Sequence, residues 1–534
     1  MTNQVAVVKH ESYDVRKSAF QRLRVTLHLR LPPEILLEIF LILANDDISI
    51  PPVLTQIPWV LGRVCSRWRS ITRSDARLWG CPQVEWTSKP PVHKIERAFN
   101  VLPPVVRLSL RIRQEPDFNS HNNLKFLIPY IHRCKVLDLS ACMNSFDDFW
   151  LTPMPHNAFA NLYQLSLHID DITRPGERII SGTNWGDMAG LLRMASQLRS
   201  LSISSNWSWS PVLLSMGIPW NQLTHLYVQG VSDIPALYKV LRQCSSLVRL
   251  YLVTLSAYKS VPKFSNDLHL DHLLDLHVSG YSRPSWIPQL HNWECLTDLT
   301  LSHPYHADDL QDMLHKCVNL AHLSFHPPGD FPLEPLPLPS IRTIRMKNSS
   351  YGGLPFSRLV LPSLEELYIF DRARLDLIGV CDMLENSQCP LSYFFFNALS
   401  SSVIPRDFLL SISSVTSQSI TALFPLGKFS AHVLNDIGLG ILLPKFDKLV
   451  CIPDSVEAML DMLEARINWQ VQHWTPGPKT LHISTGYKNV SAIEAERLNN
   501  LHLRVPTHID MKILVDLNYE FTYKWSITFQ TLAE

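Results

Sequence analysis

The chain has 534 residues, with 48 basic and 48 acidic side chains and a sequence pI near 7.3, so no overall positive field marks it for nucleic acid or an anionic membrane surface. Its 46% hydrophobic content can build a large core, yet no stretch approaches the roughly 20 uncharged apolar residues that a membrane helix needs. The length exceeds one ordinary compact core and directs attention to repeats.

The first residues, MTNQVAVVKHESYDVRK, carry charges and no apolar h-region, so an intracellular, reducing setting, cytoplasmic or nuclear, is expected. The 10 cysteines lack CxxC pairs or alternating Cys/His spacing, and several sit in apolar periodic segments, which suits small buried hydrophobes. No disulfide or zinc site follows.

From Leu31 to Phe40 (LPPEILLEIF) the sequence predicts a helix. Pro32 and Pro33 suit its opening positions, Glu34 suits the positive end of its dipole, and Ile35, Leu36, Ile39, Phe40 and Leu43 form one apolar stripe. A second helix is expected from Pro58, with Leu61, Val64, Cys65, Trp68 and Ile71 at helical spacing and Arg63, Arg67 and Arg69 facing outward. Leu78 and Trp79 close the end. About fifty residues bury too little surface to be robust alone, so a partner is expected to complete the stripe.

The three pieces in order, LPPEILLEIF, VCSRWRSIT and LW, resemble the F-box, a helical module that docks onto the Skp-type adaptor of cullin-RING ubiquitin ligases. The stretch Asp46 to Gln56 (DDISIPPVLTQ) is longer and richer in proline than the compact motif and resembles what expanded fungal F-box families carry. The resemblance implies adaptor contacts from Leu31, Pro32, Ile35, Leu36, Ile39, Phe40, Val64, Cys65 and Trp68.

From about residue 100 an L-x-L strand signature recurs, at Leu108, Leu137, Leu165, Leu201, Leu226, Leu250, Leu276, Leu299, Leu323, Ile344, Leu367 and Phe394, mostly 21 to 29 residues apart. The interval from Leu165 to Leu201 is longer and holds an insertion. Between strands the period turns helical, as in Leu237, Val240, Leu241 and Cys244 before Leu247, and Leu310, Met313, Leu314 and Cys317 before Leu320. Units of this kind bury their faces only on their neighbours, and the array resembles a leucine-rich-repeat solenoid. It is divergent: the asparagine ladder is mostly missing, with Asn206 and Cys142 among few candidates, and FPLEPLPLPS (Phe331 to Ser340) is not helical. Beyond residue 430, Val456, Met459, Leu460, Met462 and Leu463 predict a helix and Thr480 to Ile483 a strand, as irregular repeats with a cap or as a separate C-terminal domain.

The expected fold is therefore α/β, with an N-terminal segment (1–25), an all-α F-box module (26–85), a solenoid of divergent helix-strand repeats (100–430), and irregular repeats with a C-terminal cap (431–534). GxxxxGK[ST], dinucleotide, HExxH and GxSxG motifs are absent, so no catalytic residue, metal or cofactor is assigned. His303 and His306, around Pro304 and Tyr305, are a loop pair too few to hold a metal.

Alternation along each strand projects the residues between the leucines onto the concave sheet face. The central strands then present His225, Tyr227 and Gln229, Arg249 and Tyr251, Asp275 and His277, Asp298 and Thr300, and His322 and Ser324, a patch suited to a protein target. Of these, His225, Tyr227, Arg249, Tyr251, Asp275 and His277 are the target-binding candidates. The tryptophans Trp185, Trp207, Trp209 and Trp220 around the insertion serve either as a docking loop or as a cap on the core. The expected function is substrate recognition in a Skp-cullin-F-box ligase, with the adaptor, the cullin scaffold and a protein target as partners and neither nucleic acid nor membrane. The alternative is a non-catalytic scaffold outside any ligase.

Overall fold

The structure, a computed structural model, describes residues 31–44, 47–50, 57–79, 81–84, 96–97, 99–100, 108–113, 124–141, 152–155, 157–169, 192–205, 217–231, 234–254, 268–280, 290, 292–326, 335–347, 356–371, 377–398, 403–415, 420–473, 480–484, 493–494, 496–497, 500–501, 512–516 and 524–527. The chain forms two compact units, Met1–Leu223 and Thr224–Glu534. The segment 1–25, the loop residues 51–56, Asn206, Cys142, Phe331 and the tryptophans at 185, 207 and 209 lie outside the described residues.

In the first unit, α1 (Pro33–Leu43) begins after the extended Pro32, with Glu34 in its first turn, as its sequence predicts. Strand β1 (Asp47–Ile50) follows, then α2 (Ile57–Val64) and α3 (Ser66–Ser74). The single second helix expected from Pro58 is in fact two. Cys65 adopts φ −157° and ψ 171°, and its sulfur accepts a hydrogen bond from the Trp68 backbone N–H at 3.4 Å, so it caps a new helix in place of continuing the old one. Two arginines expected to face outward make contacts within the module: Arg69 Nε donates across this break to the Gly62 carbonyl at 2.7 Å, and Arg67 ties α3 to the entrance of α1 by donating to the Leu31 carbonyl at 2.5 Å.

Phe40 meets Trp68 edge to face with ring centroids 4.8 Å apart. Leu78 and Trp79, in a 3₁₀ turn (Ala76–Trp79), are buried, and the Trp79 indole N–H donates to the Thr72 carbonyl at 2.6 Å. Part of the long loop is a strand: β1 pairs in parallel with β2 (Cys81–Val84), from Asp47 opposite Cys81 to Ile50 opposite Val84.

Four parallel strands follow in this unit: β3 (Leu108–Arg113), β4 (Cys134–Ala141), β5 (Gln164–Ile169) and β6 (Ser200–Ser205). Their register places Leu110, Leu137, Leu165 and Leu201 in one buried row. Trp220, which opens a 3₁₀ turn (Trp220–Gln222), is buried.

The second unit is a long sheet whose strands come in chain order: β7 (His225–Val231), β8 (Arg249–Thr254), β9 (Asp275–Gly280), β10 (Asp298–Pro304) and β11 (His322–His326). The short β12 (Leu336–Pro337) pairs with β14 (Leu359–Val360) as a separate ladder, within a proline-rich stretch whose sequence predicts no helix. The main sheet continues through β13 (Thr343–Lys347), β15 (Glu366–Asp371), β16 (Tyr393–Ala398), β17 (Ile420–Phe429), β18 (Phe446–Pro453), β19 (Thr480–Ser484) and β20 (Lys512–Asp516). All these neighbours are parallel; β21 (Lys524–Ile527) ends the sheet antiparallel to β20. A mixed α/β, solenoid-like repeat results.

Register makes one continuous apolar row from Leu226, Leu250, Leu276, Leu299, Leu323, Ile344, Leu367 and Phe394, all buried. Helices α4 (Ile234–Leu241) and α5 (Ala307–Lys316) cover it at the positions their period marks, with Leu237, Leu241, Leu310 and Leu314 buried. Further on come α6 (Leu377–Ser387), α7 (Arg406–Val415), α8 (Ala431–Gly438) and α9 (Val456–His473).

Two hydrogen-bond ladders hold the repeats together. At each strand entrance one carbonyl accepts from the next repeat: Thr224 from Val248, Val248 from Leu274, Leu274 from Thr297, Thr297 from Ala321 and Ala321 from Arg342, all at 2.8–2.9 Å. Four residues before the first core leucine, a polar side chain donates to a carbonyl of the preceding repeat: Asn161 to His132 and Gln222 to Ala195 in the first unit, and Asn319 to Glu294 and Ser340 to Val318 in the second. These replace the asparagine ladder missed in the sequence.

Near the C-terminal end Arg466 is buried, its guanidinium stacked between Phe446 and Trp469 and donating to the Ile437 and Pro444 carbonyls. Burial lowers its pKa to about 10. Gly440, at φ +71°, lies against the Trp469 ring where any side chain would collide. Cys134, Cys244, Cys317, Cys389 and Cys451 are buried free thiols, and desolvation pushes Cys389 up to about 11 and the other four to about 12.

Candidate functional site

Two surfaces stand out, one in each unit. On α1 the apolar stripe divides. Leu36 and Phe40 are 2% and 1% exposed, whereas Ile35, Ile39 and Ile42 are 48%, 40% and 82% exposed. Three of these fall at i, i+4 and i+7, so Ile35, Ile39 and Ile42 share one helix face. Leu43 and Val64 are also exposed.

Leu36 and Phe40, expected among the partner contacts, face the module's own interior here, and the Phe40 ring packs on Trp68. Cys65 and Trp68 are half-buried and hold the helix break, Leu31 is tied by its carbonyl to Arg67, and Pro32 is exposed ahead of α1. Ile42 was not singled out from the sequence, although the same spacing reaches it.

In the second unit the open face of the sheet carries two rows. One row runs His225, Arg249, Asp275, Asp298, His322, Thr343 and Glu366; the other runs Tyr227, Tyr251, His277, Thr300, Ser324, Arg345 and Tyr368. The predicted residues His225, Tyr227, Arg249, Tyr251, Asp275 and His277 therefore do come together on β7–β9. Tyr227 stacks on Tyr251 with centroids 4.5 Å apart, and Tyr251 on His277 at 3.8 Å. The Tyr227 hydroxyl donates to Gln229 at 2.9 Å.

Beyond the stack lies a recess of about 470 Å³ whose lining includes Tyr251, Asp275, His277, Asp298, Arg345 and Glu366. Arg345 and Glu366 come from repeats later than the central strands singled out in the sequence. Their signal was the same register position. Arg345 lies over the Tyr368 ring at 4.8 Å, and the Glu366 carboxylate accepts from the Tyr368 and Thr343 hydroxyls, both at 3.3 Å. The patch is thus aromatic at one end and acidic at its centre.

Burial, then the neighbouring Asp298 charge, hold the Asp275 carboxyl above the usual carboxylate range, with Arg249 opposing. Burial and the Arg249 charge lower His225. No group of three or more His, Cys, Asp or Glu side chains among the described residues is placed to hold a metal ion, and none of the described helices is long and apolar enough to cross a membrane. His306 precedes α5 as its N-cap residue, and His303 lies on β10.

No family model matches the sequence, and no curated protein matches it. Among solved structures, the chain is similar to the crystal structure of the Rad7 and Elc1 complex in yeast, at 13% identity over 62% of this chain and 83% of that chain, with a TM-score of 0.27.

Proposed function

We propose that the N-terminal module is an F-box and that the chain is a non-catalytic substrate-recognition subunit of a Skp-cullin-F-box ubiquitin ligase. The observation that supports this most is the exposed row Ile35, Ile39 and Ile42 on a module whose own core is already filled by Leu36, Phe40, Leu61, Ile71, Leu78 and Trp79. An apolar helix face left over after a core is complete is what a docking surface requires. The adaptor would cover this row, the cullin would follow through the adaptor, and a protein target would lie on the open face of the repeat sheet.

Capture of a Skp-type adaptor by the purified full-length chain tests the proposal. Ile35→Ala with Ile39→Ala should weaken capture at least about tenfold, equivalent to about 1.4 kcal/mol, with an unchanged melt. Wild-type capture by that variant overturns the F-box assignment. Adaptor capture without cullin in a co-purification would instead favour a scaffold outside the ligase.

A further inference from the structure

We propose that the recess over β9–β15 holds a lysine or arginine side chain of the bound target, seated between the Asp275 and Asp298 carboxylates and the wall formed by Tyr251 and His277. The proposal rests on the reading of the open sheet face as the target-binding element and names the chemistry that face selects.

The relief of the recess follows from register. In the row Tyr227, Tyr251, His277, Thr300, Ser324, Arg345 and Tyr368, three large rings come first, two small hydroxyl residues next, and two large side chains last. Adjacent strands stand about 4.8 Å apart, so two small residues in succession open a gap about one side chain wide between bulky walls. The ring stack ends at His277 because Thr300 is too small to continue it, and Leu299 and Leu323 contribute to the lining beside Thr300 and Ser324. A volume of about 470 Å³ suits part of an extended segment, not a whole helix.

Charge decides the occupant. The lining carries the carboxylates of Asp275, Asp298 and Glu366 against the single guanidinium of Arg345. Arg345 is committed to the far wall over Tyr368, where Glu366 is also hydrogen-bonded. Asp275 and Asp298 lie directly opposite each other on β9 and β10. Arg249 faces Asp275 from β8, yet among the described residues neither aspartate forms an ion pair with a basic side chain, and Asp298 accepts a hydrogen bond from the Thr297 hydroxyl at 2.7 Å. Two like charges abreast on a half-buried floor repel, and a cation placed between them relieves both. The flat ring wall accepts the alkyl stem of lysine or the plane of arginine. The chain as a whole has no net charge, so selectivity for cations would be local to this face.

The test probes the purified full-length chain with arrays of short extended peptides that have randomised flanks and a fixed central Arg, Lys, Ala or Glu. Arg- or Lys-centred pools should be captured at least about tenfold better than Glu-centred ones, and the ratio of the two identifies the preferred cation. Asp298→Asn, nearly isosteric, should erase the preference at an unchanged melt, and Ser324→Trp, which fills the recess, should erase capture. Capture of Glu-centred pools equal to or above the basic ones, no capture of basic pools, or a preference that survives both variants overturns the proposal. Failure of the underlying reading looks different: Glu-centred capture that Ser324→Trp abolishes leaves the face as the target site with another chemistry. Capture indifferent both to Ser324→Trp and to Tyr227→Ala with Arg249→Ala and Tyr251→Ala shows that targets bind elsewhere.

Discussion

The N-terminal module and the repeat sheet of the second unit dispose of their apolar residues in opposite ways. Along the sheet, every core row position from Leu226 to Phe394 is buried by its neighbours in register. The module fills a small core around Phe40 and Trp79 and still leaves a row of isoleucines in water. A repeat array gains burial with each added unit, whereas a three-helix module has only one inside. The lesson is that stability and binding are separated by region: residues that hold the sheet should cost fold when changed, and exposed residues of the module should cost only capture.

The sharpest break of this contrast is Leu299→Ala, which empties a fully buried site between Leu276 and Leu323. It should lower stability by about 3 kcal/mol, read by urea denaturation, while Ile42→Ala in the module should change stability by less than about 0.5 kcal/mol. Comparable losses at the two sites would erase the distinction. A middle effect is expected at Asp436, which is 4% exposed and accepts from Arg406 Nε at 2.6 Å. Asp436→Ala should cost about 1–2 kcal/mol, below the value for a fully buried pair because Arg406 can turn to water; Asp436→Asn should cost less by retaining an acceptor.

Smallest is Asp275→Asn. The Asp275 carboxyl is held above its ordinary value by burial first and then by Asp298, so its ionised form opposes folding. The variant should therefore be more stable than the wild type at neutral pH, by less than about 0.5 kcal/mol, and the gain should vanish as pH falls through the raised value and the wild-type carboxyl takes up its proton. A gain that instead grows toward acid pH would reverse the assigned sign.

Much of the sheet was legible because its signal is repeated: alternation around each L-x-L motif marks strand, inward face and neighbour at once. The helix break at Cys65 was not. Val64, Cys65 and Trp68 keep helical spacing across it, and what ends α2 is a backbone turned extended at a residue whose thiol happens to cap α3. The division of the α1 stripe was equally hidden, since Ile39 and Phe40 are alike apolar and only the position of Trp68 decides which is covered. On the sheet, the ring stack could be read from the order Tyr227, Tyr251, His277. Asp275 and Asp298 could be read on this face as well, but spacing alone does not show that Arg345 lies over Tyr368 and leaves the centre acidic.

The buried thiols turn the molecule into a set of clocks. Cys134, Cys244, Cys317, Cys389 and Cys451 each belong to a different repeat, and with thiols pushed up to about 11 or 12 they present almost no thiolate to an alkylating reagent while their repeat stays closed. Each becomes labelled only as fast as its own neighbourhood opens. The order in which mass spectrometry finds them modified would time the loosening of the array repeat by repeat, with no substitution introduced.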